Sequence, residues 1–310
     1  MIESEIQYEE AKKTGKRFID QVRTDPPADS GFVTKKFTDI RYAEGSEKRM
    51  LDIYLPNERE TSYPVILDIF GGGWYFGKRS SYKMNLALEL LKRGYAVVSM
   101  DYSLSREAVF PTQIYEVKAA VRYIKNHSSE YGLDPENVAL LGESAGSHIG
   151  SLAALSHGAG VYEDVPFGEK GDASVKAMIA LYCPTDFIST SAQFSVLGLE
   201  SWVQEAGEAD SPEGVLLGGK RPQDVPELAR MANPGTYVTD NAPAFQFFHG
   251  DDDRVVPYLQ SMNLAVKLAE AVGYKKIEYY LIHGAGHNQK HFMNEENYDL
   301  MVAFLKKHFN

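Results

Sequence analysis

The chain has 310 residues, 44% hydrophobic and 24% charged, with a formal net charge of −11. That length allows one or two domains and a sizeable core. The acidic balance argues against a nucleic-acid partner and gives no attraction to an anionic membrane surface. Cys183 is the single cysteine, so no intrachain disulfide can form. The start, Met1-Ile2-Glu3-Ser4-Glu5, lacks the basic and apolar stretches of a secretory leader. No apolar run approaches the about 20 residues of a membrane span. A cytoplasmic protein is expected.

Residues 1 to about 31 are polar and helical in pattern, ending at the breaker Asp25-Pro26-Pro27. Phe37 to Tyr42 and Arg49 to Leu55 alternate as antiparallel edge strands do. Pro64 to Phe70 reads as a buried strand running into Gly71-Gly72-Gly73. A helix over Tyr82 to Arg93, stopped by Gly94, precedes a buried strand over Tyr95 to Asp101. Helical spacing of Ile114, Val117, Val121 and Ile124 covers Thr112 to Glu130. A strand over Asn137 to Leu141 and a helix over Ser147 to His157 follow. Val175 to Tyr182 is another buried strand. Residues 187–240 break the rhythm, with scattered apolar residues, several glycines and no clear strand. Then come a strand over Ala244 to Phe248, a helix over Tyr258 to Ala271, a strand over Ile277 to Ile282 and a closing helix over Glu296 to His308. Strands alternating with helices predict an α/β fold, one mostly parallel sheet with helices on both faces. A single domain over residues 1–310 is expected, with cap elements at about 1–35 and 187–240, because long insertions in compact domains commonly serve as lids.

Between the strand at Asn137 and the helix at Ser147 stands Gly142-Glu143-Ser144-Ala145-Gly146. A sharp strand-to-helix turn holds its central serine in a strained backbone, with the hydroxyl standing clear. The glycines leave room where a Cβ would strike the neighbouring strand and helix. The new helix aims its N-terminal N–H groups at the place where negative charge develops. A plain tight turn with an exposed serine would look the same, so the partners decide. A base and an orienting acid are sought just after strands, where α/β sheets put their chemistry. His287, in Gly284-Ala285-Gly286-His287, is the favoured base on the Ser…Asp…His chain order. His283 is nearer the strand and expected to pack, His291 is a weaker rival, and His148 faces away from the turn as a structural residue. Asp251, Asp252 and Asp253 are the candidate acids. The spacing His249-Gly250-x-x-Asp253-x-x-Val256-Pro257 favours Asp253. Backbone N–H groups of Gly72, Gly73 and Ala145 could receive an oxyanion. A phosphate-binding loop would need a following Lys-Ser/Thr or a further spaced glycine, which Trp74-Tyr75-Phe76 does not supply. Trp74, Tyr75 and Glu143 are the expected substrate contacts.

Four segments resemble the α/β-hydrolase esterases, specifically the hormone-sensitive-lipase-like group and its bacterial feruloyl and acetyl (xylan) esterase relatives. Phe70-Gly-Gly-Gly-Trp74 looks like the His-Gly-Gly-Gly oxyanion motif. Gly94 to Leu104 is similar to the strand before the family's Arg-Leu-Ala-Pro-Glu turn. Tyr131 to Gly146 matches closely, and His249 to Pro257 with Gly284 to His287 match the acid and histidine loops. The resemblance runs from about residue 48 to 305. It implies Ser144, Asp253 and His287 as a triad and Gly72, Gly73 and Ala145 as oxyanion donors. It further implies a cofactor-free, metal-free hydrolysis of short acyl esters, with a sugar as the alcohol and an acylated oligosaccharide as the substrate. Phe70 departs from the family's bracing histidine. Ser103, Ser105 and Arg106 replace its Arg, Ala and Pro, and Cys183 stands where relatives carry glycine, as a buried small residue. An amidase or peptidase on the same fold, a non-catalytic hydrolase-like receptor and a purely structural or partner-binding protein are the alternatives.

Overall fold

The computed structural model describes residues 17–58, 60–203 and 206–309. Eight strands form one sheet: β1 Lys35–Arg41, β2 Met50–Leu55, β3 Tyr63–Ile69, β4 Ala96–Met100, β5 Leu133–Glu143, β6 Ala177–Leu181, β7 Ala244–Gly250 and β8 Ile277–Ile282. Their order is β1-β2-β4-β3-β5-β6-β7-β8. The β1–β2 and β2–β4 pairs are antiparallel, and every later pair is parallel. Only β1 is an edge among the two early strands. β2 lies between β1 and β4 with Leu51 to Leu55 buried, so the expectation of two edge strands gives way to one.

The period of two sorts side chains onto two cores. Val65, Leu67, Ile69, Val138 and Leu140 face the helices Thr112–Asn126, Ala145–Gly158 and Leu259–Val272. Ile66, Val97, Ala139 and Leu141 face Asn85–Leu91 and Glu295–His308. Each fully buried Leu, Ile or Val contributes about 2 kcal/mol. The central strands therefore read as mostly apolar runs, as a sheet covered on both faces requires, with buried polar residues such as Asp68, Ser99 and Gln246 among them. The closing helix is capped by the Asn294 side chain on the N–H of Asn297. It carries Glu295 and Glu296 in its first turn and Lys306 and Lys307 in its last, matching the helix dipole.

Elsewhere the boundaries shift. The expected helix over Tyr82 to Arg93 is a 3-10 turn, Tyr82–Met84, followed by Asn85–Leu91. The long helix breaks at His127, with a separate turn Ser128–Tyr131. Residues 1–16 lie outside the described residues. From residue 17 to 31 only the 3-10 turn Phe18–Asp20 and an isolated bridge from Pro27 to Ser81 are regular, so the helical expectation fails there. Two prolines and the lack of a continuous apolar stripe account for it. The 187–240 insertion holds helices Thr190–Leu197, Pro212–Leu216 and Pro226–Met231, with no strand among the described residues. Its root is fixed by buried Gln260, whose side-chain Oε1 accepts from the N–H groups of Thr185 and Asp186 at 2.8 and 2.6 Å. Among the described residues no helix is long and apolar enough to cross a membrane.

Candidate functional site

β3, β5, β6, β7 and β8 run parallel, so the loops after them open on one end of the sheet. Ser144 follows β5 directly and has φ 50°, ψ −119°, a strained conformation for a residue with a Cβ. Its N–H donates to the Leu181 carbonyl and its own carbonyl accepts from His148 N–H, both at 3.0 Å, so neighbours on two elements hold the strain. A Cβ on Gly146 would collide with the Ile69 carbonyl in β3, and one on Gly142 with the start of the following helix.

His287 Nε2 lies 2.8 Å from Ser144 Oγ, and its Nδ1 lies 2.7 Å from Asp253 Oδ2. Asp253 is buried, and its other oxygen accepts from the N–H groups of Val255 and Val256, each at 2.9 Å. Burial alone would raise this carboxyl. Electrostatic attraction and hydrogen bonds from the neighbouring His287 and His249 outweigh it and hold Asp253 well below the usual carboxylate range. An ionised carboxylate only accepts, so Nδ1 of His287 carries a proton and Nε2 is free to accept from the Ser144 hydroxyl. Of the three adjacent acids only Asp253 turns inward. Asp251 instead pairs with His283, whose side chain is 98% exposed. His283 is thus on the surface, not packed, because its loop leaves the sheet before it.

His148 is buried, 2.7 Å through Nε2 from the Ala232 carbonyl, and takes no part in the row. Cys183 is fully buried, and burial pushes its thiol up to about 11, an inert position. Gly72 and Gly73 line a cavity of about 300 Å³ beside Ser144, and Ala145 opens the helix whose first N–H groups have no carbonyl inside it. A Cβ on Gly73 would run into the ring of Phe18, so the N-terminal segment packs directly on this loop.

Two expected substrate contacts lie elsewhere. Trp74 is buried, edge-on to His148 at 5.1 Å and Phe187 at 5.4 Å, and its carbonyl accepts from Ser105 N–H at 2.8 Å. Tyr75 packs on Phe18 and Phe76 and lies under Arg106. Neither lines the cavity; Phe76 does. The cavity wall holds Arg23, Thr24, Asp25 and Pro26 from the N-terminal segment and no residue from the described part of 187–240. Glu143 does border the cavity, but its oxygens are taken by Lys83 Nζ (2.7 Å), Tyr182 OH (2.7 Å) and Gly71 N–H (3.3 Å).

Sequence reasoning missed Tyr182, Lys83 and His249. Tyr182 follows β6 with φ 38°, and its ring centroid is 4.5 Å from that of His287. Its place at the carboxyl end of a buried strand was the available signal. His249 Nε2 is 2.9 Å from the Val256 carbonyl and 3.3 Å from Asp253 Oδ2, bracing the acid's loop. Lys83 sits in a 3-10 turn with no motif around it.

A mostly parallel sheet with one reversed strand, β2, next to its edge, a strained serine between strand and helix, and the Ser144–His287–Asp253 row define an α/β-hydrolase. Residues 51–268 match the BD-FAE family, more than half of the chain, and the chain belongs to that family. Among solved structures, a truncated form of a carbohydrate esterase from gut microbiota has a TM-score of 0.77 and 28% identity, covering 92% of this chain and 99% of that one. A bifunctional GH43-CE protein of Bacteroides eggerthii has a TM-score of 0.76 and 31% identity over 88% of this chain and 35% of its own. Esterase LipQ of Mycobacterium tuberculosis is 28% identical over 81% of this chain and 56% of its own length. The probable carboxylic ester hydrolase LipM of the same organism is 30% identical over 75% and 51%. The chain spans about half the length of the curated relatives it matches.

Proposed function

We propose that the chain is a serine carboxylic-ester hydrolase for short acyl esters, removing acetyl or feruloyl groups from oligosaccharides derived from plant polysaccharides. The observation that carries the reading is the unbroken row from Asp253 through His287 to the Ser144 hydroxyl, at 2.7 and 2.8 Å, opening on the cavity. Ser144 Oγ attacks the ester carbonyl carbon while His287 Nε2 takes its proton. The tetrahedral oxyanion accepts hydrogen bonds from the N–H groups of Gly72, Gly73 and Ala145, each such donor lowering the barrier by about 3 kcal/mol. His287 returns the proton to the departing alcohol, and water repeats the sequence on the acyl-enzyme. Asp253 holds the tautomer that makes both transfers possible.

A sugar as the alcohol is supported by the cavity wall. Thr24, Tyr82 and Lys290 bring hydroxyl and ammonium groups to it; Asn85 and Gln289 bring amides of which one end is engaged by the Asp29 N–H and the Tyr82 carbonyl; Pro26 and Phe76 are the strongly apolar side chains outside the catalytic row and Tyr182. The carbohydrate esterase among the structural relatives supports the same class. We assign the reaction to the cytoplasm, on imported oligosaccharides.

The test compares wild type and Ser144→Ala on p-nitrophenyl acetate, butyrate and octanoate, acetylated xylo-oligosaccharides and methyl ferulate. Release of acetate or ferulate, lost in Ser144→Ala, is the expected result. Activity confined to the aryl esters removes the sugar assignment. A wild type inert on all of them, and unlabelled by a fluorophosphonate, removes the hydrolase.

A further inference from the structure

Phe70 stands where the resemblance calls for a bracing histidine, and its ring has no polar atom to brace with. It stacks on Tyr102 with centroids 4.4 Å apart. The peptide unit between Phe70 and Gly71 is nevertheless held at both ends. Tyr102 OH donates to the Phe70 carbonyl at 3.1 Å, and the Gly71 N–H donates to Glu143 Oε1 at 3.3 Å. That peptide plane sets the course of the chain into Gly72 and Gly73. On its other oxygen Glu143 accepts from Tyr182 OH at 2.7 Å, and the Tyr182 ring lies against both His287 and Phe292. The backbone of Glu143 itself leads directly into Ser144.

We propose that Glu143 is a positioning residue that fixes both sides of the nucleophile: with Tyr102 it clamps the Phe70–Gly71 peptide at the entry to the oxyanion loop, and through Tyr182 it fixes the His287 ring. The proposal rests on the serine-hydrolase reading. It moves Glu143 from substrate contact to support of the loop.

The Lys83 ammonium and the Gly71 N–H both donate to Oε1 and the Tyr182 hydroxyl donates to Oε2, an arrangement that favours the ionised carboxylate. Burial works against that. The Lys83 charge, with hydrogen bonds from Lys83, Tyr182 and Gly71, brings Glu143 below the usual carboxylate range. Burial would likewise lower Lys83, and the Glu143 charge outweighs it and raises the ammonium. The other groups facing the pair are Tyr82 from the same turn, Asp68 in β3, Tyr102 after β4, and Arg23 and Asp25 across the cavity. Asp68 is pushed well up by burial and by the Glu143 charge, against a smaller lowering by the Ser99 hydroxyl and Lys83. Lys83 is therefore the cation that keeps Glu143 an acceptor.

The test measures kcat, KM and pH profiles on p-nitrophenyl acetate, with affinity for a trifluoromethyl ketone as a readout of the oxyanion site. Glu143→Gln puts an amide NH2 against one of the three donors. We expect kcat to fall about 100-fold, with KM within about threefold and ketone affinity falling in parallel. Glu143→Asp, which keeps the charge, restores part of the loss. Lys83→Met leaves the carboxylate buried without its cation, so its kcat profile gains an acid limb at least about one pH unit above that of wild type. Tyr102→Phe combined with Glu143→Gln costs less than the sum of the two, because both act on one peptide. If Glu143→Gln fails to fold, the Lys83→Met profile and Tyr182→Phe decide in its place. A Glu143→Gln kcat within about threefold of wild type, or a Lys83→Met profile unchanged in shape, overturns the proposal and leaves the hydrolase reading standing. A wild type without activity or fluorophosphonate labelling overturns that reading instead.

Discussion

On one side of Ser144 stand Asp253 and His287, each delivered by a short loop just after its own strand. On the other stand Gly71 to Gly73, held by Glu143 at the end of β5, Lys83 in a 3-10 turn, Tyr182 after β6, Tyr102 after β4 and Phe18 in the N-terminal segment. The first side is a linear row: each group has one task and one partner toward the serine. The second side is a convergence, in which side chains from five separate segments meet at the loop or at the carboxylate that holds it. The contrast predicts different responses to change. The row fails all at once when one link is altered, whereas the convergence fails by degrees.

The sharpest break is Asp253→Asn. The side chain keeps its size and one acceptor oxygen for the Val255 and Val256 N–H groups. It loses the charge that fixes the His287 tautomer, and kcat should fall about 10,000-fold with little change in KM. Steady-state kinetics on p-nitrophenyl acetate measure it. A loss under about 100-fold would mean that the Tyr182 ring, rather than the carboxylate, orients His287, and the two sides would not be separate. On the other side, Gly73→Ala should cost about 10- to 100-fold in kcat/KM. The added Cβ meets Phe18, and φ 60° is a backbone that a residue with a Cβ adopts at a cost of about 1 kcal/mol. Adding Phe18→Ala to Gly73→Ala should recover part of the activity. No recovery would assign the loss to the backbone alone and remove the N-terminal segment from the convergence.

The same contrast explains what could be read from the chain beforehand. The sheet was legible because β3 to β7 each contain a short, mostly apolar run with a helical stretch after it, a pattern that survives without tertiary information. The Ser144, Asp253 and His287 positions were legible because each sits at a fixed place after a strand, and chain order ranks the candidates. Glu143 was visible only as part of a motif, and its partner Lys83 is 60 positions away in a turn that no periodicity marks. Trp74 and Tyr75 misled for the same reason: aromatic residues after a glycine loop fit a pocket wall or a core, and only packing on His148 and Phe187, or on Phe18, chooses between them. Residues 17–31 misled because polar residues spaced like a helix do not make one without an apolar stripe to bury.

The smallest effect concerns His148, which lies behind the loop under Trp74 and whose backbone N–H holds the Ser144 carbonyl. Burial lowers its imidazole from the usual 6.5 to about 4, against a smaller raising by the Ala232 carbonyl. Between those two pH values the unfolded chain binds a proton that the folded one refuses. Protons therefore favour unfolding, and stability rises with pH across that window. The loss on going from pH 7 to pH 4 is on the order of 3 kcal/mol from this one group. Chemical denaturation of wild type and His148→Gln at a series of pH values measures it. The glutamine keeps a donor for Ala232 and has no charge to gain, so its stability relative to wild type should be flat above pH 7 and improve steadily toward pH 4. At pH 8 its kcat should stay within about threefold of wild type, because the side chain touches neither the row nor the clamped peptide. A large kcat loss there would show that the packing behind Trp74 belongs to the convergence as well, and would extend the graded side of the site one layer deeper.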